Sequence, residues 1–395
     1  MVCLNGQAVT VTSLHPRLCQ RLLVSPRKSV TTLPQLHLGV LGDLRAVGRV
    51  RRSCRLEGAP RLHARQQRLG GGRSRPASGR LVRIPHVPIR RSNQPPEPVF
   101  SRVLVELNQD HDTRKHLYVE LERLFGRPVV SFFTSFRFPV MIEDNDADML
   151  QGVLQKLDLM RGLVLIINSP GGYGLAAERI INVCKSYSGT GEFWAVVPGK
   201  AKSAATMVCF GASKIFMAPA SELGPIDPQM SRREGKRHLR LSLYSVVASY
   251  QKLFKEAVRS KGNLEPYLQQ LGNYDAREIE EFRTALALAT DIAVRSLAAG
   301  MMKGASEKTI RKRIAMFLTP VQTKSHGRPI GMDRAGECKL VIEKMDVRGE
   351  LWQCLYELYV RTSHHVSNRV SKCIESGAHS FAVGAPDHQH DEDEE

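Results

Sequence analysis

Between residues 163 and 217 the chain alternates unbroken apolar runs of strand length with helical faces. Leu163 to Ile167 is continuously apolar. Ala176, Ile180, Val183, Cys184 and Tyr187 then recur on one helical face, and Phe193 to Val197 forms a second unbroken run. A further helix candidate opens at Ser203, and Lys214-Ile215-Phe216-Met217 reads as a third strand. A strand with one wet face alternates apolar and polar residues, whereas an unbroken apolar strand is covered on both faces. Such strands joined through helices make crossovers of one hand and a mostly parallel sheet. The expected fold class is therefore α/β.

The flanks extend this pattern. Val103-Leu104-Val105 and Pro128 to Phe133 read as short strands. Residues 144–158 open with acids, which oppose the helix dipole at an N-terminus, and place Met149, Val153 and Leu157 on one face. After Pro228 the strands thin out. Residues 240–257, 265–272 and 276–300 read as helices, and Leu351, Leu355 and Leu358 repeat at helical spacing. A helical region is thus expected from about residue 231.

Charge divides the chain. Of its 395 residues, the first 100 carry 18 Lys and Arg against only Asp43, Glu57 and Glu97. This head mixes Arg, Gly, Pro and Ser without sustained periodicity and cannot bury enough surface to offset chain entropy. Residues 1–98 are expected to be a basic, mostly disordered extension, with Asn93 to Pro98 as the linker. An Arg-rich, acid-poor head also resembles an organelle transit segment, and could contact nucleic acid or a membrane, although neither partner is favoured. The folded domain is placed at 99–375 and an acidic disordered tail at 376–395. The eight cysteines form no C-x-x-C pair, so disulfide or metal scaffolding is not expected, nor is any cofactor. No apolar run approaches the roughly 18 residues that span a bilayer, which makes a cytoplasmic location the default expectation.

Two turns carry the chemistry. The first, Ser169-Pro170-Gly171-Gly172, leaves a buried strand through paired glycines, which lose packing and chain entropy unless positive φ or a close backbone approach requires them. The second, Gly199 to Thr206, sets Ser203 among small residues at a helix start. In a parallel sheet both lie at the carboxyl ends of neighbouring strands, where α/β sheets gather their sites. A serine there ordinarily caps its helix. With adjacent main-chain N–H groups it can instead act as a nucleophile beside an oxyanion hole, and Gly171 clears a path to those donors.

The run LVLIINSPGGYGLAAERIINVCKSY followed by VVPGKAKSAATMVCFGASKIFMAPASELGPIDPQ resembles the Clp-fold serine peptidases. It is similar to the Clp proteolytic subunit at INSPGG, and to the serine dehydrogenase proteinase family, relatives of signal peptide peptidase A, in its ordering and in LGPIDPQ. The similarity is good over about 140–230 and weaker to about 360, through Ser325 to Ile330 and Ala335-Gly336. The resemblance implies a Clp/crotonase-like repeated β-β-α spiral, a Ser203 nucleophile, and an oxyanion hole at Gly171, Gly172 and the N–H of Ala204. It also implies a protein or peptide substrate and a homo-oligomer.

The base departs from the Clp pattern, because Leu223 to Pro228 offers no histidine where that family has one. Relatives of signal peptide peptidase A use a lysine, which must be partly desolvated to be neutral near pH 7. Lys252 is the first candidate, with Lys236, His238 and His326 as alternatives. Lys200 and Lys202 could steer an acidic substrate or face water. Asp227, between two prolines, reads as a turn residue. The expected function is a serine endopeptidase acting through a Ser203 acyl-enzyme. The rival classes are a crotonase-like acyl-CoA enzyme, which needs the oxyanion hole but not the serine, and a catalytically silent scaffold of the same fold.

Overall fold

The computed structural model describes residues 97–106, 108–234, 237–368 and 370–385. The basic head up to residue 96 and the last ten residues lie outside that range, as do Cys3, Cys19 and Cys54.

Eleven strands are present among the described residues: β1 (Val129–Thr134), β2 (Leu163–Asn168), β3 (Phe193–Val197), β4 (Lys200–Ala201), β5 (Lys214–Met217), β6 (Glu222–Leu223), β7 (Gln229–Glu234), β8 (Arg237–Ser242), β9 (Ile342–Lys344), β10 (Val370–Glu375) and β11 (Ser380–Gly384). Seven form one sheet in the order β11-β10-β1-β2-β3-β5-β9. From β1 to β9 every pairing is parallel, and β10 and β11 add an antiparallel margin. The fold is mixed α/β with a mostly parallel sheet and a helical C-terminal region, as the sequence pattern requires.

The unbroken runs are buried on both faces, and the pleat sorts their side chains. Leu163, Leu165 and Ile167 join Val130 and Phe132 in a core beneath helices Asp144–Leu154, Gly174–Tyr187 and Ala204–Gly211. Val164 and Ile166 join Val129 and Phe133 in a second core beneath helices Lys115–Phe125 and Glu350–His365. Successive residues of one strand therefore serve opposite layers.

A smaller ladder lies across the carboxyl ends of the central strands. Ile142 bridges Gly172, Ser169 bridges Ala201, β4 pairs with β6, and Leu223 bridges Ile330. It ties the two glycine- and serine-bearing turns into one construction.

Several elements differ from the sequence reading. The run at 103–105 is part of a helix, Val99–Val105, not a strand. Three apolar residues are too few to display a period, and only Val103 is buried. Strands β7 and β8 form a polar hairpin paired only with itself, without the apolar run that marks a core strand. The tail boundary also moves: β11 pairs with β10 from Ser380 to Gly384, so order continues past residue 375.

No apolar run marks β10, because it buries Ser371, Lys372 and Glu375, which do not read as core residues. Each of the two charges has a partner from another element. Lys372 Nζ donates to Asp146 at 2.9 Å, and Arg114 grips Glu375 with two bonds of 2.6 and 2.9 Å. Tyr118 OH and Ser380 Oγ complete the carboxylate's shell at 3.3 and 2.9 Å. Buried charges are tolerated only when paired in this way.

Candidate functional site

Ser203 follows β4 and precedes helix Ala204–Gly211 with φ 50° and ψ −118°. It is one of three non-glycine residues with positive φ among the described residues. Such a conformation costs on the order of 1–3 kcal/mol and persists only where its surroundings impose it. The imposing bonds are visible. Ser169 N–H donates to Lys200 O at 2.8 Å and Lys202 N–H to Ser169 O at 3.0 Å, fixing the approach. Ala205 N–H donates to Lys202 O at 2.9 Å and Met207 N–H to Ser203 O at 3.1 Å, starting the helix immediately afterwards.

The ordinary reading of a serine at a helix start does not apply here, since Ser203 makes no side-chain cap. Its hydroxyl has no hydrogen-bond partner among the described residues, and the residue is partly exposed while Ala204 is buried. A short strand, a serine of positive φ and a helix thus follow one another, with the serine hydroxyl left uncapped.

The paired glycines are explained by two separate close approaches. Gly171 has φ +105°, and a Cβ added there would lie 2.6 Å from Ser203 Cβ and 3.1 Å from the Ala204 nitrogen. At Gly172 an added Cβ would stand 2.3 Å from the backbone nitrogen and oxygen of Ile142. One glycine therefore admits Ser203 and the other admits the crossing segment. The Gly171 N–H donates to Ser169 Oγ at 3.1 Å. Those of Gly172 and Ala204 find no acceptor among the described residues.

The base candidates separate clearly. Lys252, on helix Leu243–Arg259, has a side chain 76% exposed and an ion pair to Glu256 at 3.9 Å. Within this chain it lacks the desolvation that a neutral lysine needs. Lys236 and the side chain of His238 lie outside the described residues. Lys202 does not face water: it is 15% exposed and donates to Glu222 at 2.9 Å and to Leu223 O at 3.2 Å. Lys200 remains half-exposed, 3.5 Å from the same carboxylate.

His326 has the most constructed surroundings. Its Nδ1 lies 2.7 Å from Oδ1 of Asp227, a carboxylate with no exposure, and Ser242 Oγ donates to Oδ2 at 2.7 Å. The imidazole itself is 20% exposed. Asp227 is thus more than a turn residue, because both of its oxygens are used across the fold. Its partner stands 99 positions away, a spacing that no local motif reveals. The segments bearing both residues reach β4, the strand before Ser203, through the ladder Ala201, Leu223, Ile330.

Residues 117–242 match the family of ClpP-like SDH-type serine proteinases. That span contains β1 to β8, both turns and Ser203, whereas the Ile330 bridge, His326 and strands β9 to β11 lie beyond it. An uncharacterized protein of Methanocaldococcus jannaschii is 35% identical over 109 residues, 28% of this chain and 34% of that protein. A second from the same organism is 26% identical over 134 residues, 33% of this chain and 42% of that protein. The chain therefore spans less than half the length of these relatives. Two solved structures of the 1510-N membrane-bound stomatin-specific protease, both of mutants and one with a substrate peptide, are 14% and 15% identical. They cover 56% and 60% of this chain and 98% of each of those chains, with TM-scores of 0.24 and 0.23. No described helix is long and apolar enough to cross a membrane.

Proposed function

We propose that this chain is a serine peptidase in which Ser203 attacks a peptide carbonyl. The observation that carries the reading is the strained, uncapped Ser203 seated against Gly171, within a segment matching a serine proteinase family. Oγ adds to the carbonyl carbon and its proton passes to a base. The carbonyl oxygen becomes anionic beside the main-chain N–H groups of Ala204 and Gly172, the Gly171 N–H being engaged by Ser169 Oγ. Collapse expels the amine, which takes the proton, and water then hydrolyses the ester.

His326 is the base this reading favours. An ionised carboxylate only accepts, so Asp227 holds the proton on Nδ1 and leaves Nε2 as the acceptor. The substrate is a protein or peptide, and nothing in these residues selects its sequence.

A fluorophosphonate probe tests the assignment, because it phosphonylates an activated serine. Labelling at Ser203 that disappears in Ser203→Ala, with loss of peptide hydrolysis in the same variant, is the expected result. An unlabelled wild-type protein that turns over acyl-CoA thioesters would instead favour the crotonase-like chemistry.

A further inference from the structure

We propose that the buried hydroxyl of Thr206 is a positioning group for Ser203, a role that rests on the peptidase reading above. Thr206 is the third residue of helix Ala204–Gly211 and is wholly buried. That helix is otherwise built of Ala, Met, Val, Cys, Phe and Gly, so a hydroxyl in its first turn is a polar group set in an apolar wall.

Its Oγ1 is fully employed, and all of its partners are backbone atoms outside the helix. It lies 2.7 Å from Ala201 O and 3.1 Å from Gly224 O, and accepts from Gly224 N–H at 3.0 Å. Ala201 is two residues before Ser203 and Thr206 three after. The hydroxyl thus closes a loop around the nucleophile and holds both ends of the strained turn at a fixed separation. Gly224 begins the Gly224-Pro225-Ile226-Asp227 turn. The same atom therefore joins the nucleophile's turn to the one that carries Asp227 and, through it, His326. The backbone Cα of Gly224 approaches Lys202 closely as well, with an added Cβ falling 2.7 Å from Lys202 Cδ.

A hydroxyl in that place does two things. It satisfies Gly224 N–H, which would otherwise be buried without a partner. It also resists relaxation of Ser203 toward ordinary φ, since such relaxation must lengthen the Thr206–Ala201 or Thr206–Gly224 bond. Losing it should displace the nucleophile while leaving the surrounding fold in place.

The test compares Thr206→Val, which keeps shape and removes the hydroxyl, with Thr206→Ser, which keeps the hydroxyl. In Thr206→Val the fluorophosphonate labelling rate and kcat should fall by about 10²-fold, the penalty typical of a misplaced reacting group, with KM changed less than about twofold. Thr206→Ser should recover both to within a few-fold. Amide hydrogen exchange at Gly224 should quicken in Thr206→Val and not in Thr206→Ser. The proposal is overturned if Thr206→Val labels at the wild-type rate, or if Thr206→Ser loses as much as Thr206→Val. A wild-type protein that takes no label defeats the peptidase reading, and unchanged exchange at Gly224 in Thr206→Val then overturns the hydroxyl's role independently.

Discussion

The imidazole of His326 and the carboxylate of Asp227 face one another at 2.7 Å, Nδ1 to Oδ1, with Ser242 donating to the second carboxylate oxygen. The pair has the form of a base and its orienter, and its surroundings contrast with those of Lys252, which stands in solvent beside Glu256. His326→Ala is expected to lower the labelling rate of Ser203 by about 10²- to 10⁴-fold, the usual contribution of a general base. Lys252→Ala should change it less than about twofold. Steady-state labelling of the two variants checks the assignment, and the opposite ranking would transfer the role to the lysine.

Gly171→Ala is expected to abolish labelling. Its Cβ would meet Lys202 O and Ser203 Cβ, each at 2.6 Å, at a φ of +105° that L-residues rarely adopt. The backbone strain alone costs about 1–3 kcal/mol. Thermal unfolding measured beside labelling separates a collapsed site from a collapsed fold, and an alanine variant with wild-type labelling would show that the turn does not need the glycine.

Acid should loosen the Arg114–Glu375 pair. Burial alone would raise the Glu375 carboxyl, but the Arg114 hydrogen bonds and charge outweigh it and hold the group below its ordinary value of 4.5. The stability it contributes is complete above that value and is lost as pH falls through the lower folded value. Glu375→Gln leaves Arg114 buried without a countercharge, and should cost about 3–5 kcal/mol at pH 7, with a smaller loss at pH 3. Denaturant midpoints at the two pH values measure the difference, and an equal loss at both would refute the linkage.

The second buried pair behaves oppositely. Burial raises the Asp146 carboxyl, and the hydrogen bond from Lys372 only partly offsets it. This carboxyl therefore opposes folding when ionised, and the opposition fades as pH falls through its folded value. Asp146→Asn combined with Lys372→Met should leave stability within about 1 kcal/mol of wild type or raise it, as replaced buried ion pairs commonly do. A loss of several kcal/mol in urea unfolding would show that this pair is a net stabiliser.

The central architecture was legible because its physics is local. Leu163 to Ile167 and Phe193 to Val197 are unbroken because both of their faces are covered, and that condition is written into consecutive residues. Ser203 and Gly171 could be nominated for the same reason: a small-residue helix start and a paired-glycine strand exit are each visible within a few positions. β10 was illegible because Lys372 and Glu375 look like surface residues until Asp146 and Arg114 are brought to them from more than 200 positions away.

The sequence alone determined the layering of the sheet and the location of its carboxyl-end turns, since hydrophobic period and glycine placement constrain neighbours along the chain. Only the tertiary structure decided that Ser203 is strained and uncapped, that Lys252 stands in water, and that Asp227 serves His326. Burial and hydrogen-bond partnership across 99 residues arise from how the chain returns on itself, and no short run of residues encodes them.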